Sequence, residues 1–343
     1  MDGHSCHSVI HKMPPLLSVI IPTHKRSKFL GRAITSALET TIDSNVQVIA
    51  VPNGEDDAWR DVANRFKKDP RVHWLPLRVA NACAARNHGL INASGKYVRF
   101  LDDDDYLLPA ATQQLRFIEE NRLDLCTAPL EKVGANGKHL LNFILPHSAD
   151  YVVAAILAIS ISGFTQGSIF RRPVIGGLKW RENVTLYDDY FWMLDLAADH
   201  ELRWQQTTDP VATYVQHDGC RLSRIRRSRM NSRSLVDAIL YLHQHLESTG
   251  RHTPERASAV ARALLSHAHS AFPASPIYLG SVIRQAMAID PKATPLQHVF
   301  EKHSWLAQHL FATEWAVLPA RYLTRSYRRV AWSVGKLVSR INT

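Results

Sequence analysis

Leu16-Leu17-Ser18-Val19-Ile20-Ile21 is a short apolar, β-branched run ended by Pro22, the pattern of a buried strand. From Ser27 to Leu38 the apolar positions Phe29, Leu30, Ala33, Ile34, Ala37 and Leu38 recur at helical spacing, which predicts a helix. Val46–Val51 predicts a second strand stopped by Pro52-Asn53-Gly54. Trp59–Phe66 predicts a helix, Val72–Leu75 a third strand and Ala82–Asn92 another helix. Tyr97–Leu101 predicts a fourth strand, which runs straight into Asp102-Asp103-Asp104-Asp105. Strands and helices that alternate at such short intervals imply an α/β fold with a mostly parallel sheet flanked by helices. Ligands of such sheets bind outside the carboxyl ends of the strands, so Pro22-Thr23-His24, Pro52-Asn53-Gly54 and the aspartates are expected to share one cleft.

Beyond about residue 230 the texture changes to helical periodicity in His-, Ala- and Arg-rich segments broken by Pro254, Pro273, Pro276, Pro291 and Pro295. The expected organisation is a flexible tail over 1–14, an α/β domain over 15–225 and a helical appendage over 226–343. Within the α/β domain, about 15–110 and about 111–225 are expected to form two parts. Tyr151 to Phe170 carries no charge, but Gly163, Gln166 and Gly167 interrupt it. A buried helix followed by a strand is therefore expected there rather than a membrane span.

The charge distribution adds a second theme. Residues 1–220 hold 23 Lys+Arg against 25 Asp+Glu, whereas residues 221–343 hold 18 against 6, so the C-terminal third carries a net +12. Such asymmetry points to an anionic partner for that region. Leu323, Tyr327, Val330, Ala331, Val334, Leu337, Val338 and Ile341 form one helical stripe, with Arg321, Arg325, Arg328, Arg329, Lys336 and Arg340 opposite. The stripe suits a helix lying on an anionic bilayer surface, or packing on the α/β domain or a second subunit of a homodimer. The four cysteines (Cys6, Cys83, Cys126, Cys220) have no pair spacing and suit a reducing, cytoplasmic setting.

Four adjacent carboxylates repel one another. Taken as a continuation of the strand, whose side chains alternate faces, Asp102 and Asp104 point the same way, and a hard divalent cation, Mg²⁺ or Mn²⁺, relieves the repulsion. Asp188 and Asp189, in Leu186-Tyr187-Asp188-Asp189-Tyr190-Phe191-Trp192, lie in an apolar, aromatic stretch. That setting raises a carboxylate's pKa toward the value a general base needs.

Asn81 to Pro109, NACAARNHGLINASGKYVRFLDDDDYLLP, resembles the central signature of the family 2 inverting glycosyltransferases. That signature joins an Ala-Arg-Asn helix, an Ala-x-Gly-Lys-Tyr turn and a strand ending in Asp-x-Asp. LLSVIIPTHKR (Leu16 to Arg26) resembles the family's first strand and nucleotide-binding loop, and Gly167 to Leu194 its acceptor-side segment. The resemblance implies a GT-A fold and inverting transfer of a sugar from a nucleotide-diphosphate donor, UDP-linked by expectation. The acceptor would be a hydroxyl of a glycan or lipid-linked molecule in cell-surface polysaccharide synthesis. It implies Asp104 as the principal metal ligand with Asp102, Asp103 near the ribose, Asp189 (beside Asp188) as base, and His217 near the metal. It further implies donor contacts from Pro22, Thr23, His24, Arg26, Asn53 and Arg86. Two residues depart from the pattern: Asn53 stands where an aspartate usually reads uracil, and His24 where a tyrosine is usual.

Two other classes compete. A nucleotidyltransferase needs a Gly-rich loop after the first strand, and Pro22-Thr23-His24-Lys25-Arg26 has no glycine. A basic nucleic-acid-binding protein would carry a recognisable binding signature in its C-terminal third, and the clustered aspartates would repel phosphate. The enzyme reading predicts no nucleic-acid partner and places the protein in the cytoplasm, peripheral on the membrane's cytoplasmic face.

Overall fold

The computed structural model describes residues 14–40, 45–134, 136–160, 164–184, 186–216 and 232–324. The chain forms two compact units, one of Met1–Ala149 with Ile161–Arg226 and one of Asp150–Ser160 with Arg227–Thr343. The N-terminal tail, His217, the arginines between 221 and 229 and the stripe beyond residue 324 lie outside the described residues.

The first unit opens with β1 (Leu17–Thr23), α1 (Ser27–Glu39), β2 (Val46–Pro52), α2 (Trp59–Phe66), β3 (Val72–Trp74), α3 (Ala82–Ile91) and β4 (Tyr97–Phe100). The strand and helix alternation expected from the apolar pattern is present throughout this stretch. After β5 (Tyr106–Leu107) come α4 (Ala110–Glu120), β6 (Leu125–Thr127), β7 (Leu130–Gly134) and β8 (His139–Phe143). Next are α5 (Tyr151–Leu157), which belongs to the second unit, β9 (Ser168–Arg171) and the single turn α6 (Arg172–Ile175). Then α7 (Asp188–Asp199), β10 (Trp204–Gln206) and β11 (Ala212–Gln216) complete the unit.

The main sheet has the order β10-β6-β9-β4-β1-β2-β3. Every neighbouring pair is parallel except those of β9, which runs against β4 and β6. The carboxyl ends of β1, β2 and β4 therefore lie on one edge, as the sequence implied. A smaller sheet, β5-β11-β7-β8, packs with the first unit and has no counterpart in the expectations. The core of the first unit is aliphatic, with Val19, Ile21, Val48, Ala50, Leu30, Ile34, Leu115 and Ile118 excluded from solvent. Gly89 lets α3 press onto β1, since a Cβ there would meet Ile20 Cγ2 at 2.4 Å.

Two local readings need correction. Pro22 does not end β1, which continues to Thr23. Ile20 accepts from the Leu101 N–H at 3.0 Å, so Pro22, two residues on, faces the same edge, where the β4 ladder has already ended and no donor is needed. The aspartates do not extend β4 either. The Asp105 N–H donates to the Asp102 carbonyl at 3.2 Å and closes a turn, so strand alternation does not govern where these carboxylates point.

The second unit holds α5 with α8 (Ser232–Ser248), α9 (Pro254–Ala271), α10 (Pro276–Ile289), α11 (His298–Lys302), α12 (Ser304–Gln308) and further helical residues over 310–324. Tyr151–Leu157 is a buried helix, as expected, and Asp150 caps it by accepting from the Val152 N–H at 2.8 Å while pairing with Arg256 at 2.6 Å. Among the described residues no helix is long and apolar enough to cross a membrane. Cys83 and Cys126, the cysteines within the described residues, are buried and unbridged.

Candidate active site

The turn after β4 sorts its four carboxylates. Asp102, Asp104 and Asp105 offer oxygens that all lie within 4.8 Å of one another. Asp103 turns the other way, where the Thr23 hydroxyl donates to it at 2.6 Å and Arg26 approaches at 3.5 Å. Burial pushes the Asp103 carboxyl up to about 7, the neighbouring Asp104 adds to that rise, and the Thr23 hydrogen bond opposes it. Arg26 donates to Asp104 at 2.9 Å, and Arg32 donates to the Asp104 carbonyl at 2.8 Å. The β1–α1 loop is thus tied to the β4 turn through Thr23, Arg26 and Arg32.

Asp105 was given no role of its own from the sequence. It is almost wholly buried, accepting from the Val215 N–H at 2.7 Å and the Gln166 amide at 2.8 Å. Burial, with the charges of Asp104 and Asp102, holds its carboxyl well above the usual range. Behind it lies Arg99, the one charged side chain of β4, fully buried and donating to the Gln114 side chain and the Gln166 carbonyl. Burial lowers its guanidinium to about 10. Gln166 therefore links a buried cation to the floor of the aspartate cluster.

Arg86 joins the two acidic regions. It donates to Asp102 at 2.8 Å through one nitrogen and to Asp188 at 2.8 Å through another, and its plane lies over the Trp180 ring at 4.5 Å. At 6% exposure it is no helix-surface arginine. Trp180 in turn stacks on Trp192 at 4.7 Å and meets Phe100 edge-on at 5.1 Å. The asparagines of α3 hold this wall in place. The Asn87 side chain exchanges two hydrogen bonds with the Trp180 backbone, at 2.9 and 2.7 Å. Asn81 caps α3 by accepting from the Ala84 N–H and donates to the Glu182 carbonyl. Neither Trp180 nor Thr165 was singled out in the sequence, because their partners lie far away along the chain.

Asp188 and Asp189 open α7 behind Tyr187, which has a left-handed backbone at φ 61°. Lys25, in the loop after β1, is left-handed too, at φ 56°. Non-glycine residues in this region are strained and concentrate at functional sites. Arg86 takes up Asp188, whereas the Thr165 hydroxyl donates to Asp189 at 3.2 Å. Desolvation first, then the Asp188 charge, raises the Asp189 carboxyl to about 7, while Arg86 pulls it down. Two adjacent acids thereby acquire different environments.

At the end of β2, Asn53 is buried and its amide donates to the Thr23 carbonyl at 2.9 Å, stapling β2 to β1. His24 Nδ1 lies 2.5 Å from the Asn53 carbonyl oxygen. Gly54, at φ 89°, lets the His24 ring settle there, since a Cβ would meet it at 2.7 Å. Pro22, Thr23, His24, Arg26, Asn53, Arg86, Asp102, Asp103, Asp104, Asp188 and Asp189 all belong to this carboxyl-edge region or its hydrogen-bonded surround.

The family description "Glycosyl transferase family 2" matches residues 18–202 of the 343. The chain belongs to that family. An uncharacterized glycosyltransferase of Rickettsia felis is 34% identical over 125 residues, 36% of this chain and 21% of its own length. The uncharacterized glycosyltransferase EpsJ of Bacillus subtilis is 34% identical over 115 residues, a third (33%) of each chain. One from Haemophilus influenzae is 28% identical over 192 residues, 53% of this chain and 71% of the relative. The match thus spans only a fifth to a third of the first two relatives. Among solved structures, S. aureus TarS 1-349 in complex with UDP-GlcNAc has a TM-score of 0.63 over 80% of this chain and 82% of TarS, at 15% identity. That likeness shows the GT-A fold, with the mostly parallel central sheet and helical C-terminal region described above.

Proposed function

We propose that the chain transfers a sugar, with inversion, from a nucleotide-diphosphate donor to a hydroxyl of a glycan or lipid-linked acceptor in cell-surface polysaccharide synthesis. The observation that carries this reading is the junction at Arg86. There a set of clustered carboxylates after β4 meets a raised-pKa aspartate at the head of α7, in a family 2 chain. The oxygen-only cluster of Asp102, Asp104 and Asp105 suits a hard divalent cation, Mn²⁺ or Mg²⁺. When bound, such an ion would supply charge neutralisation for the departing diphosphate. Asp102 and Asp104 are assigned to hold it, with Asp105 as a buried third oxygen donor, and His217 remains a candidate ligand by family resemblance.

Asp189 is assigned as the base that takes the acceptor hydroxyl's proton, and Asp188 as the partner that keeps Arg86 turned across the cleft. Thr23, His24, Asn53 and Arg26 form the donor wall, with Pro22 beside Thr23 in β1. Asp103 acts there by orienting Thr23 and Arg26. A UDP-sugar is the first donor to test, because the TarS complex that shares this fold holds UDP-GlcNAc. Incubation of the full chain with UDP-, GDP-, dTDP- and CDP-sugars and Mn²⁺ should give one donor that is hydrolysed or transferred. NMR of the product should show an inverted anomeric centre, and retention would overturn the single-displacement reading. Loss of turnover in Asp104→Asn is expected, and unchanged turnover there would remove the cation from the reading.

A further inference from the structure

Away from the carboxyl edge, α8 carries a second convergence of donor groups. His243 and Glu247 stand one turn apart near its C-terminal end, and His252 follows in the loop to α9. Each offers one ligand atom, and the three atoms lie within 4.8 Å of one another. The two imidazole centroids are 5.7 Å apart, with the ring planes inclined at 55°. The loop that carries His252 is fixed on both sides. Gly250, at φ 70°, closes α8: its N–H donates to the Glu247 carbonyl at 3.2 Å, and the Arg251 N–H donates to the Leu246 carbonyl at 2.8 Å. Just beyond His252, Thr253 caps α9 by accepting from the Arg256 N–H at 3.2 Å. The buried Arg256 guanidinium also donates to the Arg251 carbonyl at 2.7 Å.

His243 lacks what a buried imidazole needs. Its side chain is 12% exposed, and its Nδ1 is buried with no hydrogen-bond partner among the described residues. Its Nε2 stands 3.6 Å from Glu247 Oε1, beyond hydrogen-bond reach. An exposed His–Glu ion pair uses one histidine, and a second protonated ring beside it would repel the first. Two imidazoles and a carboxylate around one point are instead the donor set of a three-ligand zinc site. Ligand atoms about 2.0–2.2 Å from a tetrahedral ion sit roughly 3.4 Å apart. The 3.6 Å already present therefore needs only a small adjustment by the exposed Glu247.

We propose that His243, Glu247 and His252 bind a Zn²⁺ ion, with water as the fourth ligand, and that the ion pins the loop after α8 to the helix. Imidazole suits zinc, whereas the oxygen-only Asp102–Asp105 turn suits the harder Mg²⁺ or Mn²⁺, so the two sites select different ions. The inference is independent of the chemistry assigned to that turn.

The test is calorimetric titration of the full chain with Zn²⁺ in excess Mg²⁺, which competes for the oxygen-only turn, with Co²⁺ absorption as a report on ligand type. The wild type should bind one Zn²⁺ equivalent that His252→Ala and Glu247→Gln each weaken at least about tenfold, since losing even an outer-shell partner costs about 10–100-fold. Both substitutions fall on exposed residues, so the metal-free variants should melt at the wild-type temperature. Saturating Zn²⁺ should raise the melting temperature of the wild type alone. Cobalt should give the visible bands of four-coordinate nitrogen and oxygen ligation, lost in His252→Ala. Equal zinc affinity in the wild type and both variants, or no bound equivalent in the wild type, would overturn the inference. So would cobalt bands of thiolate type unchanged by His252→Ala, which would place the ion on His4, Cys6, His7 and His11 of the N-terminal tail.

Discussion

Arg86 reaches Asp102 and Asp188 at 2.8 Å each from a position sealed by Trp180. Removing a buried cation leaves two carboxylates facing each other without compensation, so Arg86→Ala should lose about 3–5 kcal/mol of stability, measured by urea unfolding. Arg86→Lys should recover only part of that, because an ammonium cannot span two partners as a planar guanidinium does. Asp189 yields a sharper functional expectation. A base must be ionised to act, and this carboxyl sits at about 7, so kcat should fall as pH drops through about 7. Asp189→Asn should bind donor normally, by calorimetry, while turnover drops by about 10²–10⁴-fold. Wild-type turnover in that variant would move the base elsewhere.

At the scale of elements, Asp124 is a joint between strands. It pairs with Arg171 of β9 at 2.5 Å and with Arg203, next to β10, at 3.0 Å, and also accepts from the Arg203 N–H. Hydrogen bonds from the two arginines hold its carboxyl down at about 2 against the cost of burial. A depressed carboxylate stabilises the fold above its unfolded pKa of about 4, and that contribution disappears as pH falls through about 2. Asp124→Asn should therefore lower the melting temperature at pH 7 and have little effect near pH 2. The elements also show where sequence reading succeeds. Val46–Val51 and Trp59–Phe66 were legible because each buries a regular apolar pattern, although β2 runs one residue further, through Pro52. The aspartate turn was misread as strand because nothing local distinguishes a continuing strand from one bent by the Asp105-to-Asp102 hydrogen bond.

At the scale of the whole molecule, the site stores unfavourable charge. Asp103 and Asp189 both have carboxyls raised to about 7, so each costs stability once ionised and is relieved as pH falls from about 7 toward about 4. Apo protein should thus melt higher near pH 5.5 than at pH 8, then lose stability below about 4 as Asp124 is protonated. A divalent cation in the Asp102–Asp104–Asp105 cluster should reverse part of the cost at pH 8. At 100 times its dissociation constant, Mn²⁺ would add about 2.7 kcal/mol, visible as a thermal shift that Asp104→Asn abolishes. A shift that survives Asp104→Asn would place the ion elsewhere.

The sequence by itself determined the order of strands and helices through β4, the shared edge to which the carboxyl ends of β1, β2 and β4 point, and the family. It could do so because apolar periodicity and motif spacing are local properties of the chain. Only tertiary structure decided which carboxylates cluster and which turn inward, that Arg86 is a buried bridge, that Asn53 is a strand staple, and that Arg99, Thr165, Gln166 and Trp180 support the site. Those outcomes depend on partners up to 110 residues apart, as between Asp105 and Val215, and on desolvation, which exists only once the sheet and α7 have closed around them.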